Sequence, residues 1–470
     1  MDATFASRVQ FGMTLAFHYL FPPITIGLGS MLVFMEGTFL VTGKPVYEKL
    51  TRFFVKLFGL NFALGVVTGI PMEFQFGTNW AQYSRYVGDV FGSALAAEGI
   101  FAFFLESGFL GLLLFGWDRV KPRTHFIATI MVCLGSHFSA IWIIIANSWM
   151  QTPAGFAIVG TGASAHAVTT DFFHVVFNPS TVNRLFHTLA GAWQAGAFFV
   201  LSVCAWYLLK GRDIAFARAG MRIGLIAAAV AATVSIVLGD SSARQVAYTQ
   251  PTKLAAMEGV YPASGIAGLH MFGWVNESSQ TVYGPELPGM LSWLIYYDSH
   301  ATVTGLNAFA PQDRPPVNRV FQAFHIMVGI GFASFGLTLL ALLWWVRGRL
   351  WTARWLLWPF VFAIVFILAA NEAGWMTAEW GRQPWIVYGL MRTHQGVSST
   401  VPAGQVWATI ALFGIVYAAL LVLYLFLLNQ KIQHGPEVEH VSVPLQGERH
   451  PWDEEQDATP VLIGHQRADQ

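Results

Sequence analysis

The sequence predicts an all-α integral membrane protein, and three observations support that fold class. Hydrophobic residues make up 55% of the 470 residues and charged residues only 11%, whereas soluble domains carry about 25% charge. The mean hydropathy is +0.52. Nine apolar runs are long enough for a helix to cross about 30 Å of hydrocarbon; they cover about residues 11–39, 57–77, 94–117, 125–148, 184–209, 217–239, 320–346, 353–377 and 405–428.

Prolines and cysteines refine this description. Pro22 and Pro23 in the first span and Pro71 in the second are expected to kink their helices, with neighbouring helices satisfying the freed carbonyls.

Cys133 and Cys204 form no CxxC or CxxCH motif, which argues against zinc and covalently attached haem. The first apolar run is long enough to span, so we expect no separate signal peptide. The formal net charge is zero, which gives no indication of nucleic-acid binding.

The connections between the spans differ in charge. Those after spans 1, 3, 5 and 7 carry Lys44, Lys49, Arg52 and Lys56; Arg119, Lys121 and Arg123; Lys210, Arg212, Arg218 and Arg222; and Arg347, Arg349 and Arg354. The short even-numbered connections carry only Arg85, Arg382 and Arg392. Because basic connections stay in the cytoplasm, the N-terminus is predicted outside, the C-terminus inside and the 240–319 connection outside. Residues 1–430 then form the membrane domain, and 431–470 a polar cytoplasmic tail that is predicted to be disordered.

Residues able to bind haem iron lie inside these helices near the predicted outer face. His187 is about one turn into span 5 and Met327 about two turns into span 7, so both can reach one flat ligand from opposite sides. A His/Met pair gives a low-spin haem suited to electron transfer. His18 in span 1 and Glu372 in span 8 also lie in the outer half, where a carboxylate must be protonated, paired or metal-bound. Ordinary roles, as core filler or in helix–helix hydrogen bonds, remain the alternative.

Two acids mark the third span. Glu98 and Glu106 are eight residues apart, about 12 Å along a helix, and face one quadrant. Spaced acids within a span are typical of a proton relay, with Ser139 of span 4 as a plausible polar neighbour. Lys56 and Asp118, at the inner helix ends, are candidates for the cytoplasmic mouth of that relay or else ordinary solvated helix termini.

Two segments outside the spans carry further candidates. Lys253 and Glu258, after span 6, are suited to bind the hydroxyls or carbonyls of a small polar headgroup, although such residues in a surface loop are usually only solvated. Arg382 and Trp385, after span 8, place a cation beside an aromatic ring at the membrane face. That pair is suited to hold haem propionates, and a tight turn with an interfacial anchor is the alternative.

Taken together, these segments resemble subunit I of the cytochrome bd-type quinol oxidases. The likeness runs from Ser7 to about Leu428, which is nearly the whole chain. The motifs that carry it are Arg8–His18, Gly88–Asp118 with its two glutamates, Gln250–Glu258, His325–Gly331, and Glu372 through Gly381-Arg382-Gln383-Pro384-Trp385. The last run, together with Pro251-Thr252-Lys253-Leu254-Ala255-Ala256, is highly specific.

The resemblance implies a terminal respiratory oxidase subunit in the bacterial cytoplasmic (inner) membrane. Such a subunit oxidises quinol at the outer face and reduces O2 to water at a high-spin di-haem site, with protons taken from the cytoplasm. The implied partners are subunit II of the oxidase, small single-span subunits, quinol, O2 and membrane lipid. Because quinol is oxidised at the outer face while protons are taken from the cytoplasm, the reaction would separate charge across the membrane.

The resemblance also implies roles for the candidate residues. His187 and Met327 would be the axial ligands of haem b558. His18 and Glu372 would be ligands of the two high-spin haems, haem b595 and haem d, without a choice of which binds which. The acids of span 3 would serve as proton-path or haem-pocket acids, and the Lys253–Glu258 segment would lie in the quinol-oxidising loop.

Three departures accompany the likeness. The connection after Glu258 is short, as in short-loop and cyanide-insensitive members, so the third cofactor is either haem d or a third haem b. His325 stands where many relatives carry Arg two residues before Met327, and it is itself a rival ligand; Leu368 stands where some carry Trp.

Two other functions also remain open. One is a haem b quinone-linked membrane reductase. The other is a secondary transporter, and the lack of an internal repeat in the sequence argues against it.

Overall fold

The spans form a bundle of long helices. The computed structural model describes residues 2–436, and within them nine helical segments are long and apolar enough to cross a membrane, as predicted. The helices are α1 (Ala3–His18), α2 (Pro22–Thr42), α3 (Pro45–Thr78), α4 (Ala81–Ala97), α5 (Phe104–Phe115), α6 (Pro122–Gln151), α7 (Phe172–Val176), α8 (Thr181–Lys210), α9 (Ile214–Thr249), α10 (Pro251–Glu258), α11 (Met290–Tyr296), α12 (Val317–Val346), α13 (Arg354–Trp380), α14 (Thr393–Gly396) and α15 (Ala403–His434).

The first span is broken rather than kinked. α1 ends at His18 and α2 begins at Pro22, whose missing N–H suits the first turn of a helix. At the break, the His18 carbonyl that Pro22 frees accepts a 3.1 Å hydrogen bond from the Phe21 nitrogen, so it is satisfied locally and not by a neighbouring helix as expected. The Phe21 carbonyl accepts from the Thr25 nitrogen and also from Asn61 Nδ2 of α3, both at 2.9 Å. α3 continues through Pro71. The break leaves His18 at a helix end in the middle of the span.

The third span changes its helical pitch between its two acids. Residues Glu98–Phe103 form a π-helical turn that joins α4 to α5. Such turns are rare and often occur at functional sites. Glu98 begins this turn and Glu106 follows it, so the straight α-helix assumed in the sequence prediction does not connect them.

Glycines bring the first and fifth spans into backbone contact. A Cβ placed on Gly27 of α2 would lie only 2.6 Å from the Gly196 nitrogen of α8. Small residues permit this close approach between membrane helices. The main apolar core surrounds the contact and includes Leu28, Phe54, Phe198 and Phe360, all fully buried.

The helix ends gather at two faces of the bundle. At one face, which we call the basic face, Lys49 pairs with Asp213 at 3.2 Å and Arg52 with Asp118 at 3.0 Å. The predicted tail begins here, but α15 continues to His434 and residues 437–470 lie outside the described part of the chain. The opposite face, which we call the loop face, carries the long connection between α9 and α12.

The long connection is shorter than predicted and partly folded. The predicted 240–319 loop begins inside α9, which ends at Thr249, and ends inside α12, which begins at Val317. The short strands are β1 (Phe156–Val159), β2 (His166–Thr169), β3 (Leu269–His270), β4 (Trp274–Asn276), β5 (Thr281–Tyr283), β6 (Glu286–Leu287), β7 (Trp385–Val387) and β8 (Met391–Arg392). β3 pairs with β6 and β4 with β5, so residues 269–287 form two nested antiparallel pairs, which we call the nested hairpin.

Candidate active site

A cavity of about 800 Å³ lies between the first four spans and α13. Its volume is typical of sites for cofactors and other small molecules. His18, Glu98, Glu106, Glu372 and Arg382 all line it. Five of the residues singled out in the sequence therefore meet in one cavity, although they come from three different spans and a connection.

The hydrogen bonds of His18 leave one ring nitrogen suited to a metal. The Thr68 hydroxyl donates to the Leu64 carbonyl at 2.8 Å, and it lies 3.1 Å from His18 Nδ1. When its single hydrogen is used on Leu64, the hydroxyl accepts a hydrogen bond from Nδ1. The proton is then on Nδ1, and Nε2 keeps its lone pair. A second-shell partner that fixes the tautomer in this way is usual for metal-binding histidines.

Glu372 lines the same cavity and has an oxygen without a partner in the described part of the chain. Its Oε1 atom is buried and has no hydrogen-bond partner among the described residues. A buried polar atom of this kind is costly unless something binds it. Tyr19, which follows His18, stacks on Trp375 near Glu372, with ring centroids 5.6 Å apart. The residues around the cavity therefore fit a ligand that takes one nitrogen and one carboxylate oxygen.

His187 and Met327 lie outside the lining of this cavity. His187 of α8 faces Gly239 of α9, where a Cβ would be 3.5 Å from its Cε1 atom. Met327 of α12 faces Gly374 of α13, where a Cβ would be 2.8 Å from its sulfur. His187 Nδ1 is buried without a partner in the described part of the chain. Each candidate ligand thus packs against a glycine of the next span.

The acids of the third span face the cavity together. Ser139 of α6 donates a 2.6 Å hydrogen bond to Glu98 Oε1, the neighbour that the sequence suggested. Glu106 Oε1 is buried without a partner among residues 2–436. A Cβ on Gly135 would lie 2.8 Å from the Glu106 Cβ, so this glycine lets α5 approach α6. Glu73 of α3 also lines the cavity; sequence reasoning missed this acid, although its place inside an apolar span was a signal.

The two remaining relay candidates lie at the basic face. Asp118 is exposed and accepts a 3.0 Å hydrogen bond from Arg52, whose guanidinium also lies over the Trp117 ring. Lys56 is exposed, one helical turn from Arg52 on α3. From Glu106 to the end of α5 at Phe115 the helix rises about 14 Å. The structure therefore separates this pair from the cavity acids by roughly half a membrane span.

A buried charged cluster borders the cavity at the loop face. Arg382 forms an ion pair with Glu379, and Glu379 Oε1 accepts hydrogen bonds from Asn147 at 3.1 Å and Gln151 at 3.2 Å. Arg382 Nη1 is buried with no partner among the described residues. Lys253 Nζ donates to Gln151 Oε1 at 2.5 Å. Sequence reasoning missed Glu379 and Gln151, whose positions near span ends were not distinctive.

Lys253 and Glu258 are buried on α10 instead of solvated on a surface loop. Burial, with the guanidinium groups of Arg184 and Arg382 nearby, holds the pKa of the Lys253 ammonium well below its usual range. Burial raises the pKa of the Glu258 carboxyl to about 8. Neither residue lines the cavity. With a pKa of about 8, the Glu258 carboxyl is poised to change protonation near neutral pH.

Trp385 and His325 have other partners than those suggested by the sequence. The Trp385 ring lies under the Arg392 guanidinium at 4.7 Å, and it is not part of the cavity lining. The ring nitrogens of His325 contact two backbone carbonyls, those of Phe321 at 2.8 Å and His270 at 2.7 Å. Its engagement with the loop leaves it poorly suited as a rival ligand to Met327.

The chain is similar to known proteins over nearly its whole length. Residues 6–436 match the family model described as cytochrome bd terminal oxidase subunit I. The chain is 39% identical to a cytochrome bd ubiquinol oxidase subunit 1 of Bacillus subtilis over 460 residues, covering 95% of this chain and 97% of the relative. It is 34% identical to a cytochrome bd-II ubiquinol oxidase subunit 1 of Escherichia coli over 514 residues, covering 95% of this chain and 99% of that one.

A solved structure shows the same architecture. The bd oxidase from Geobacillus thermodenitrificans superposes with a TM-score of 0.86 and 31% sequence identity, and the match covers 93% of this chain and 99% of that chain. The nine apolar spans agree with a multi-pass protein of the bacterial inner membrane. The chain belongs to the cytochrome bd terminal oxidase subunit I family.

Proposed function

We propose that the chain is the haem-bearing subunit of a quinol:O2 oxidoreductase that takes electrons from quinol at the loop face and reduces O2 to water in the 800 Å³ cavity. The observation that carries this proposal is the meeting of His18 and Glu372 in that cavity. His18 offers the lone pair of Nε2, Glu372 has an oxygen without a partner among residues 2–436, and further glutamates line the same cavity. A cavity that unites two such ligands with proton-carrying groups suits oxygen reduction.

The residues present fit three haems. His187 and Met327 would hold the low-spin haem b558, and His18 and Glu372 the two high-spin haems, haem b595 with either haem d or a third haem b. When bound, these groups carry electrons and bind O2. Arg382, whose Nη1 has no hydrogen-bond partner in the described part of the chain, would neutralise a propionate.

Glu98 and Glu106 would deliver protons to the cavity. Ser139 holds Glu98 in place through its 2.6 Å hydrogen bond, while Glu106 retains an oxygen free to exchange a proton. Lys56 and Asp118 at the basic face would form the mouth through which protons enter. By the positive-inside rule this face is cytoplasmic, so proton uptake from the cytoplasm would generate a proton motive force without pumping.

Quinol would be oxidised beside α10. Glu258, whose pKa is about 8, is suited to accept a proton from a quinol hydroxyl. Lys253 is held by Gln151 and is suited to hydrogen-bond a ring oxygen. The loop face is outside in this orientation, so the protons of quinol would be released there. The family's subunit II is the expected membrane partner, and small single-span subunits are further candidates.

Haem analysis of the purified complex tests this proposal. We expect three haems per complex, a reduced-minus-oxidised spectrum with low-spin and high-spin bands, a CO response from the high-spin bands, and O2 consumption with ubiquinol or menaquinol. A colourless complex would favour the transporter. Low-spin bands without a CO response or O2 consumption would favour the quinone-linked reductase.

A further inference from the structure

The nested hairpin descends along α12 instead of standing above the bundle. Three side chains on one stripe of α12 hold its backbone. Asn318 Oδ1 accepts from the Val275 nitrogen at 3.0 Å, Gln322 Nε2 donates to the Gly273 carbonyl at 2.7 Å, and His325 Nε2 lies 2.7 Å from the His270 carbonyl. The hairpin strand therefore runs towards the membrane as α12 enters it.

The lowest of these contacts lies at membrane depth. The apolar run of α12 over 320–346 is about 40 Å long as a helix, which matches a bilayer of about 40–45 Å with its headgroups. His325 is five residues past the start of that run, about 8 Å along the axis. That depth corresponds to the boundary between the headgroups and the acyl chains.

Polar side chains make this descent possible. Non-helical backbone is tolerated at membrane depth only where its polar groups find partners. The stripe of Asn318, Gln322 and His325 supplies such partners to three residues of the hairpin. The exposed carboxylate of Glu286, on the strand paired with His270, fits the headgroup layer but not the hydrocarbon core.

The hairpin edge that follows His270 is apolar and exposed. Met271 is 60% exposed and Phe272 is 64% exposed. Below them, the same face of α12 continues with exposed Phe332, Leu339 and Val346, each seven residues after the last, starting from His325. This edge of the hairpin is therefore continuous with a face of α12 that is exposed and apolar along the membrane span.

We infer that the nested hairpin is a membrane-inserted element whose Met271 and Phe272 side chains enter the lipid layer at the headgroup–acyl boundary. Trp274 and Tyr283, opposite each other on β4 and β5 and also exposed, are of the types enriched at membrane interfaces. The polar turn Asn276–Gln280 lies at the other end of the hairpin and projects into water. This inference concerns the lipid contact of the loop and does not depend on the chemistry proposed for the cavity.

Fluorescent labelling of the whole oxidase complex in phosphatidylcholine vesicles tests the inference. Phe272→Cys, labelled with the fluorophore NBD, is compared with Ser278→Cys at the hairpin turn, and the unsubstituted complex gives the background from Cys133 and Cys204. At position 272 we expect blue-shifted emission, strong quenching by a nitroxide near the acyl carbonyls and weak quenching by iodide. At position 278 we expect the reverse.

Two outcomes would overturn it. Iodide quenching at 272 equal to that at 278 would place the edge in water. Protection of position 272 from both quenchers would mean that protein, such as the second subunit, covers it. Haem absorbance and quinol oxidase rate confirm the integrity of each variant, and Met271→Cys replaces Phe272→Cys if these change.

Discussion

The hydroxyl of Ser139 on α6 donates a 2.6 Å hydrogen bond to Glu98, the residue that begins the π-helical turn of the third span. This hydrogen bond connects the fourth span to Glu98, at the start of the π-helical turn. Glu106, beyond the turn, has an oxygen with no such partner in the described part of the chain. The two acids therefore differ in how firmly they are held, although both face one cavity.

We expect Glu98→Gln and Glu106→Gln each to lower the rate of O2 consumption at saturating quinol by roughly 10- to 100-fold, because general acid–base groups contribute on that scale or above. The amide keeps the shape of the side chain and removes the exchangeable proton. Ser139→Ala, which removes only the hydrogen bond, should have a smaller effect. Full rates in both Gln variants, with normal haem spectra, would remove these acids from the proton path.

Thr68→Val should weaken the high-spin haem site. Valine has the shape of threonine but cannot accept the proton of His18 Nδ1, so the Nε2 lone pair is no longer fixed towards the cavity. Loss of such a second-shell partner typically costs about 10- to 100-fold in metal affinity or activity. High-spin haem content per complex is the measurement. Thr68→Ser keeps the hydroxyl and serves as the matched control; equal haem content in both variants would contradict the role.

Met327→Leu should abolish the six-coordinate low-spin spectrum, because leucine fills nearly the same volume but offers no sulfur. Gly374→Ala should perturb the same spectrum from the neighbouring helix, since the new Cβ would lie 2.8 Å from the Met327 sulfur. Met221→Leu in the core is the control for the first variant. Gly336→Ala on α12, where a Cβ meets nothing within 4 Å, is the control for the second.

The rate of quinol oxidation should depend on pH through Glu258. Its carboxyl has a pKa of about 8, so it is mostly protonated at neutral pH and becomes a proton acceptor as the pH rises. We expect kcat/KM for quinol to rise with pH up to about 8 and then to level off. Glu258→Gln should lower kcat/KM and remove most of its rise with pH. If kcat/KM rose with pH in the same way in the Gln variant, the titrating group would be one other than Glu258.

The number of spans and the meeting of the acids could be predicted because both depend on strong local signals. A long apolar run directly indicates a helix in lipid. An acid within such a run faces the interior of the bundle, where it finds a partner. Glu73 gave the same signal as Glu98 but had no further motif to distinguish it. The orientation of the termini stays a prediction that follows from the basic connections.

The parts that the sequence did not predict depend on contacts between distant segments. Pro22 indicated a kink, but the chain breaks there, and the first turn of α2 contacts Asn61 of another span through the Phe21 carbonyl. Lys253 is typical of a surface loop by sequence, yet it is buried because Gln151 and Gly381 lie beside it. Trp385 stacks under Arg392, which follows it only across a turn.

The backbone contact between Gly27 and Gly196 has a consequence for electron tunnelling. Gly27 lies on the helix that starts just after His18, and Gly196 lies on the helix that carries His187. Main-chain atoms therefore set the spacing of α2 and α8, without an adjustable layer of side chains between these helices. A larger residue at either glycine would push these helices and the two proposed haem centres apart, and the rate of transfer would fall even though every ligand stayed intact.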